Sequence, residues 1–256
     1  MSLDALLSPR GYAHRGLHNV GAGIVENSPS AVQAAIDAGV GIEIDVQMSG
    51  DRVPMVFHDE ILSRLAGRDG RLAFMKASEL ATIPYRHGAD KIMTLETCLE
   101  MVAGQVPLLI EVKSHWHGKP QMEVPLAVLL KDYAGPYGVM SFDPEVIERV
   151  RGVGLDAPIG LVTEKRTPKD WPLLDELARS RGAVQFERGK AIGVDFIAHQ
   201  VGDLSNPFLQ DLLSHLSCPL FGWTVDSAAR LEAARKAHAL PIFEGEAAAL
   251  LVPSGG

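Results

Sequence analysis

Apolar residues along the chain fall into two rhythms. Short, nearly unbroken apolar runs occur at 12–14 (YAH), 42–46 (IEIDV), 107–112 (PLLIEV), 137–142 (YGVMSF), 158–162 (PIGLV), 194–198 (VDFIA), 220–225 (LFGWTV) and 240–243 (LPIF). A strand with one wet face alternates apolar and polar residues, so unbroken runs predict strands covered on both faces. Between them the spacing turns helical, as in Leu95, Leu99 and Val102, and in Phe208, Leu212 and Leu216. Helix starts are marked by Ser28-Pro29, Asp143-Pro144, Thr167-Pro168 and Asn206-Pro207, each an N-cap side chain before a proline that has no N–H to orphan. Thr94 and Asp226 read as two further caps.

Buried strands alternating with amphipathic helices predict an α/β protein with a parallel sheet, and eight such strands predict a closed (β/α)8 TIM barrel. A ninth run, 52–57 (RVPMVF), follows the second strand after QMSGD. That is too short for a parallel crossover and predicts the return arm of a hairpin. Residues 60–93 then form a small insertion after the second strand and hairpin, and the 256 residues suit one barrel domain.

Composition narrows the function. A net charge of −8 opposes broad electrostatic binding of nucleic acid or stable association with an anionic membrane, but leaves room for a small anionic substrate. The two cysteines, Cys98 and Cys218, are far apart, which gives no disulfide framework or zinc motif and suits a reducing cytoplasm. The first residues lack the apolar length of a signal peptide, and no window approaches the ~20 apolar residues of a membrane span. The expectation is a cytoplasmic enzyme. Oligomeric state leaves no mark in the sequence.

The second run carries two acids. Glu43 and Asp45 share a face of the strand, and facing the helices they would be unpaired carboxylates in an apolar layer. Facing inward at the strand's C-terminal end, they would sit where barrel active sites are built. Glu111 and Lys113 end a later strand with the same spacing, His14 and Arg15 end the first, and His58 ends the hairpin arm. Three carboxylates suit one hard divalent cation, Mg2+ or Ca2+, and equally a buried ion-pair network neutralised by Lys113 or Arg15. Adding two histidines and two cations gives the set that phosphoester chemistry needs: ligands, charge holders and proton carriers.

In order and spacing, HRG (14–16), EN (26–27), IEIDV (42–46), VFHD (56–59), TLE (94–96) and IEVK (110–113) resemble the glycerophosphodiester phosphodiesterase family, in the compact form of its bacterial cytoplasmic members. The match is close over residues 12–113, with MSFDP (140–144) and GWTVD (222–226) beyond it. The resemblance implies a TIM barrel and metal-dependent hydrolysis of a small-molecule glycerophosphodiester to sn-glycerol 3-phosphate and an alcohol. It places Glu43, Asp45 and Glu111 on the metal, His14 and His58 as the acid/base pair, and Arg15 and Lys113 on the phosphate. Glu26 and Asn27 fall on the loop beside the site, and Trp223 and Phe142 on the substrate side, although both aromatics also suit a barrel core.

The chain departs from the pattern in three places. Val25 replaces a proline, Gly50-Asp51 inverts a hairpin turn, and Phe243-Glu244-Gly245-Glu246 replaces the usual T-D-x-P of the last strand. Glu244 is a substituted mouth carboxylate or an exposed loop acid. His115 and His117, flanking Trp116, line the alcohol pocket or belong to a solvated loop; His199 is similarly open, and His18 reads as a loop residue. A lysophospholipase D-like activity on lysophospholipids keeps the same fold and metal. A Schiff-base aldolase would use Lys113, but Glu111 on the same face opposes the neutral amine that chemistry needs.

Overall fold

The computed structural model describes residues 2–7, 10–114, 122–165 and 185–252. Eight parallel strands close into a barrel with helices between them: β1 (Tyr12–Ala13), β2 (Gly41–Met48), β5 (Leu108–Val112), β6 (Tyr137–Ser141), β7 (Ile159–Thr163), β8 (Phe196–Gln200), β9 (Leu220–Val225) and β10 (Leu240–Phe243). Closure depends on β1, which has two residues and pairs with both β10 (Ala13 with Phe243) and β2 (Ala13 with Ile42). Each of the eight runs read from the sequence is a barrel strand.

The pleat sorts side chains onto two faces. Ile42, Ile44 and Val46 on β2, and Leu108, Ile110 and Val112 on β5, pack outward against the helices. Their alternates Glu43, Asp45, Leu109 and Glu111 therefore point into the barrel. The lower interior is apolar and tightly filled by Tyr12, Leu109, Met140, Val162, Phe196, Phe221 and Ile242. A Cβ on Gly160 would come within 2.1 Å of the Phe196 ring, so that aromatic needs a glycine at its partner position on the neighbouring strand β7. Truncating such a ring costs about 3–5 kcal/mol. Leu6, on the short helix Asp4–Leu7, joins this interior cluster, and its carbonyl accepts a 2.8 Å hydrogen bond from the Tyr12 hydroxyl.

Ser28, Thr94, Asp143 and Asn206 cap their helices through the side chain. One cap differs: Ser227, not Asp226, accepts from the backbone N–H of Arg230, because β9 runs to Val225 and the helix begins at Ala228, two residues past Asp226. The Asp226 carboxylate instead takes the Arg230 guanidinium at 2.6 Å. Thr167-Pro168 lies outside the described residues.

The hairpin arm β3 (Pro54–Val56) returns antiparallel to the extended end of β2, and β4 (Met93–Thr94) adds to it. Two residues are too few for β4 to register as a pattern in the sequence. Between β3 and β4 lie the helices Ser63–Ala66 and Ala77–Leu80 and a 3-10 turn, Leu72–Phe74. They build a second small core from Phe57, Leu62, Leu72, Leu80, Ile83, Tyr85 and Ile92, joined by Val25 and Met55. This core anchors the site from outside: the Tyr85 hydroxyl donates to the carbonyl of Asn27 at 3.2 Å.

Candidate active site

Glu43 and Asp45 are each 1 % exposed and Glu111 is 7 % exposed, and one oxygen from each lies within 4.8 Å of the others. Three anions this close and this dry require compensation. Lys113 supplies part of it, with Nζ 2.7 Å from Asp45 and 2.5 Å from Glu111. Arg15 supplies more: Nε lies 3.2 Å from Asp45, and its backbone N–H donates to Glu43 at 3.0 Å. Asn27, fully buried, donates its side-chain Nδ2–H to the Asp45 carboxylate at 2.9 Å, and its Oδ1 accepts from the Asp45 backbone N–H. Both readings of the acidic strand thus coexist: ion pairing is extensive, yet Glu43 Oε1 remains buried with no hydrogen-bond partner.

Two residues hold left-handed backbone to make this possible, Arg15 at φ 57° and Asn27 at φ 56°. Arginine rarely adopts that conformation. Here the Arg15 N–H meets Glu43 while its carbonyl accepts from the Asn27 N–H at 2.7 Å, which stabilises the bend from both sides.

The electrostatic consequences follow from burial and neighbours. Burial pushes the Glu43 carboxyl well above its ordinary value, and Asp45 and Glu111 push it further. Burial acts on Asp45 in the same sense, but Lys113 and Arg15 outweigh it and hold Asp45 far below the usual carboxylate range. Lys113 is raised, because Asp45 and Glu111 overcome the desolvation of its ammonium. Burial lowers His58; Asp45 opposes that shift, while Lys113 and Arg15 reinforce it.

Both histidines have a carboxylate behind them. His14 Nδ1 lies 2.6 Å from Glu244, and its Nε2 is 4.0 Å from Glu43. His58 Nδ1 lies 2.8 Å from Asp59. A carboxylate beside Nδ1 favours the tautomer that carries its proton on that nitrogen. Asp59 is gripped by Arg64 through two bonds, Arg64 grips Glu26 through two more, and Glu26 meets Arg15 at 2.6 Å.

His14, Arg15, Glu43, His58, Glu111 and Lys113 line a cavity of about 210 Å³ together with Met140, Phe142, Val162, Glu164, Trp223 and Ile242. Phe142 and Trp223 meet edge to face at 5.5 Å, and the Trp223 indole N–H donates to the Ala198 carbonyl. Glu26 and Asn27 are set behind this cavity, acting on Arg15 and Asp45. His199 faces away from it, fully buried with Nδ1 2.6 Å from Thr163 Oγ1. His115, Trp116 and His117 lie outside the described residues.

Neither Asp59 nor Arg64 stands out in the sequence by itself, although the acid directly after His58 is a usable signal. His18 is a loop residue, as the sequence suggests, and from that loop its Nε2 lies 3.4 Å from Glu244. Only barrel closure brings that acid and that histidine together.

A profile of the glycerophosphoryl diester phosphodiesterase family matches residues 13–244. The chain belongs to this family of phosphoric diester hydrolases. Human glycerophosphodiester phosphodiesterase 1 is 28% identical over 172 residues, 63% of this chain and 49% of the relative. Glycerophosphodiester phosphodiesterase of Caldanaerobacter subterraneus is 28% identical over 169 residues, 62% of this chain and 68% of the relative. The chain thus spans about half the length of the human relative and about two thirds of the bacterial one. Among solved structures, an Oleispira antarctica phosphodiesterase in complex with the product sn-glycerol-3-phosphate superposes with a TM-score of 0.72, at 19% identity and 91% coverage of each chain. A Thermotoga maritima glycerophosphodiester phosphodiesterase superposes at 0.66, with 23% identity, covering 91% of this chain and 92% of its own. These likenesses show the shared TIM-barrel fold.

Proposed function

We propose that the protein hydrolyses glycerophosphodiesters to sn-glycerol 3-phosphate and an alcohol. The observation that carries this reading is the convergence, on one cavity of about 210 Å³, of a buried carboxylate cluster, two cations and two carboxylate-backed histidines.

Glu43, Asp45 and Glu111 would hold one divalent cation, Mg2+ or Ca2+. The donor set is all oxygen, and the unpartnered Oε1 of Glu43 is the kind of atom a cation satisfies. Such an ion, when bound, supplies Lewis-acid polarisation of the phosphoryl oxygens. Arg15 and Lys113 already balance the acids, and they hold the substrate's phosphate as it gains negative charge. The substrate's own glycerol hydroxyl attacks phosphorus, passing its proton to Nε2 of one histidine. The other histidine protonates the departing alcohol oxygen. Water then opens the cyclic phosphate with the two roles reversed, so each imidazole returns to its starting state. Glu26 and Asn27 serve by fixing Arg15 and Asp45.

Phe142 and Trp223 form an apolar wall suited to the carbon side of glycerol or the alcohol. The cavity is smaller than the 300 Å³ or so at which drug-sized sites begin, which favours short-headgroup diesters over lysophospholipids. The pairing of Lys113 with Asp45 and Glu111 keeps it an ammonium and argues against a Schiff-base aldolase. Residues 60–93, in this reading, are an insertion within one catalytic domain that works in the cytoplasm. No helix among the described residues is long and apolar enough to cross a membrane.

The test is release of sn-glycerol 3-phosphate from glycerophosphocholine and glycerophosphoethanolamine with Mg2+, Ca2+ or EDTA. Metal-dependent release supports the reading. A folded, metal-loaded protein that releases none from either substrate, or that prefers lysophospholipids, overturns it.

A further inference from the structure

Glu244 follows β10 and occupies the N-cap position of the helix Gly245–Leu251, yet its side chain makes no capping hydrogen bond there. The carboxylate turns to the barrel mouth, where one oxygen, Oε2, meets both His14 Nδ1 at 2.6 Å and His18 Nε2 at 3.4 Å. Barrel closure sets this up. Ala13 is in register with Phe243, and the His14 N–H donates to the Phe243 carbonyl at 2.8 Å. His14 and Glu244 therefore leave adjacent strands side by side. The next residue, Gly245, takes φ 57° as the chain turns into the helix. The two histidine bonds hold the Glu244 carboxyl below its ordinary range although partial burial opposes this, so it stays an acceptor.

We propose that Glu244 is the positioning residue of His14: it accepts a hydrogen bond from Nδ1–H, locks the ring orientation, and so leaves the bare Nε2 facing the cavity. His18 steadies the same oxygen from its far side. A ring without this acceptor can carry its proton on Nε2 instead, or turn over about its Cβ–Cγ axis, and either state withdraws the exchanging nitrogen from the substrate. The kinetic consequence rests on the phosphodiesterase reading above; the orientation of the ring does not.

Two measurements on the full chain test this. Long-range 15N imidazole spectra at mildly alkaline pH, with His14 assigned by its absence in His14→Gln, should show the Nδ1–H tautomer in the wild type. In Glu244→Ala the Nε2–H form should gain. In the kinetic arm, Glu244→Ala should lower kcat about 10–100-fold while KM and the divalent-cation Kd move less than about threefold, and Glu244→Gln, which keeps an acceptor oxygen, should recover much of the loss. An unchanged His14 tautomer in Glu244→Ala overturns the proposal. So does a loss appearing in KM or cation Kd with kcat kept, or a Gln variant no better than Ala. If Glu244→Ala does not fold, Glu244→Asp, which withdraws the carboxylate by one methylene, should show the same tautomer change. If the wild type turns over no phosphodiester, the functional reading fails and the spectra alone decide the role of Glu244.

Discussion

His58 takes its carboxylate from the next residue, Asp59, whereas His14 takes its own from Glu244, 230 positions along the chain. The two pairs look alike at the rings, but their supports differ. Asp59 is braced by Arg64, which continues through Glu26 to Arg15, and Gln47 clasps the loop by donating to the carbonyls of Phe57 and Asp59. On the other side, Glu244 is steadied by His18 and by the seam between β1 and β10. Local sequence thus builds one histidine–carboxylate pair, and closure of the whole barrel builds the other.

The largest expected effect lies between the pairs and is common to both. Glu43→Ala removes the acid that touches the Arg15 backbone and lies beside His14, and should reduce sn-glycerol 3-phosphate release at least ~1000-fold in a steady-state assay, with weaker cation binding by calorimetry. Survival of activity within tenfold would remove Glu43 from the metal site.

Next come the histidines. His14→Ala and His58→Ala should each cost about 100- to 10,000-fold on glycerophosphocholine. A substrate with p-nitrophenol as its alcohol needs no proton on departure, so it should rescue the variant that lacks the general acid and leave the other impaired. Equal rescue of both would show that the roles are not divided as proposed.

A smaller effect separates the supports. Arg64→Ala should lower kcat only about 3–10-fold, because Asp59 keeps its place beside His58 through the backbone. Its stability has a defined pH dependence. Burial alone would raise Glu26 and Asp59, but Arg64, joined by Arg15 at Glu26 and by His58 at Asp59, outweighs it and lowers both below their unfolded values. Groups lowered in this way stabilise the fold above the unfolded carboxylate pKa of about 4, and that stability is lost as pH falls through the lowered values. Arg64 is 48% exposed at the side chain, so solvent screening limits the difference to about 1 kcal/mol at neutral pH. Urea unfolding should show this difference shrinking below about pH 4; a constant difference would assign it to lost packing.

The same contrast explains what could be read in the sequence. Strand interiors, the hairpin arm and the N-caps at Ser28, Asp143 and Asn206 follow from short-range rules of burial and backbone hydrogen bonding, and they were legible. Glu43, Asp45 and Glu111 were legible because a carboxylate inside an apolar strand demands an explanation. Glu244 was legible only as one of two alternatives, a mouth carboxylate or a loop acid, since an acid at a strand end is ordinary until a distant strand lies beside it. The cap at Ser227 was missed by one residue because Asp226 is an equally good cap that ion-pairs with Arg230 instead. The left-handed Arg15 leaves no trace in composition at all.

The lining of the cavity comes from two stretches of the chain. Residues 14–113 furnish His14, Arg15, Glu43, His58, Glu111 and Lys113, and residues 140–242 furnish Met140, Phe142, Val162, Glu164, Trp223 and Ile242. On the proposed reading, reactivity and selectivity are separately heritable: a recombination crossing between β5 and β6 would exchange the aromatic side of the cavity while leaving the side with the histidines, acids and cations intact. Glu244 is the exception, a C-terminal residue serving an N-terminal histidine, and it marks the position any such chimera would have to retain.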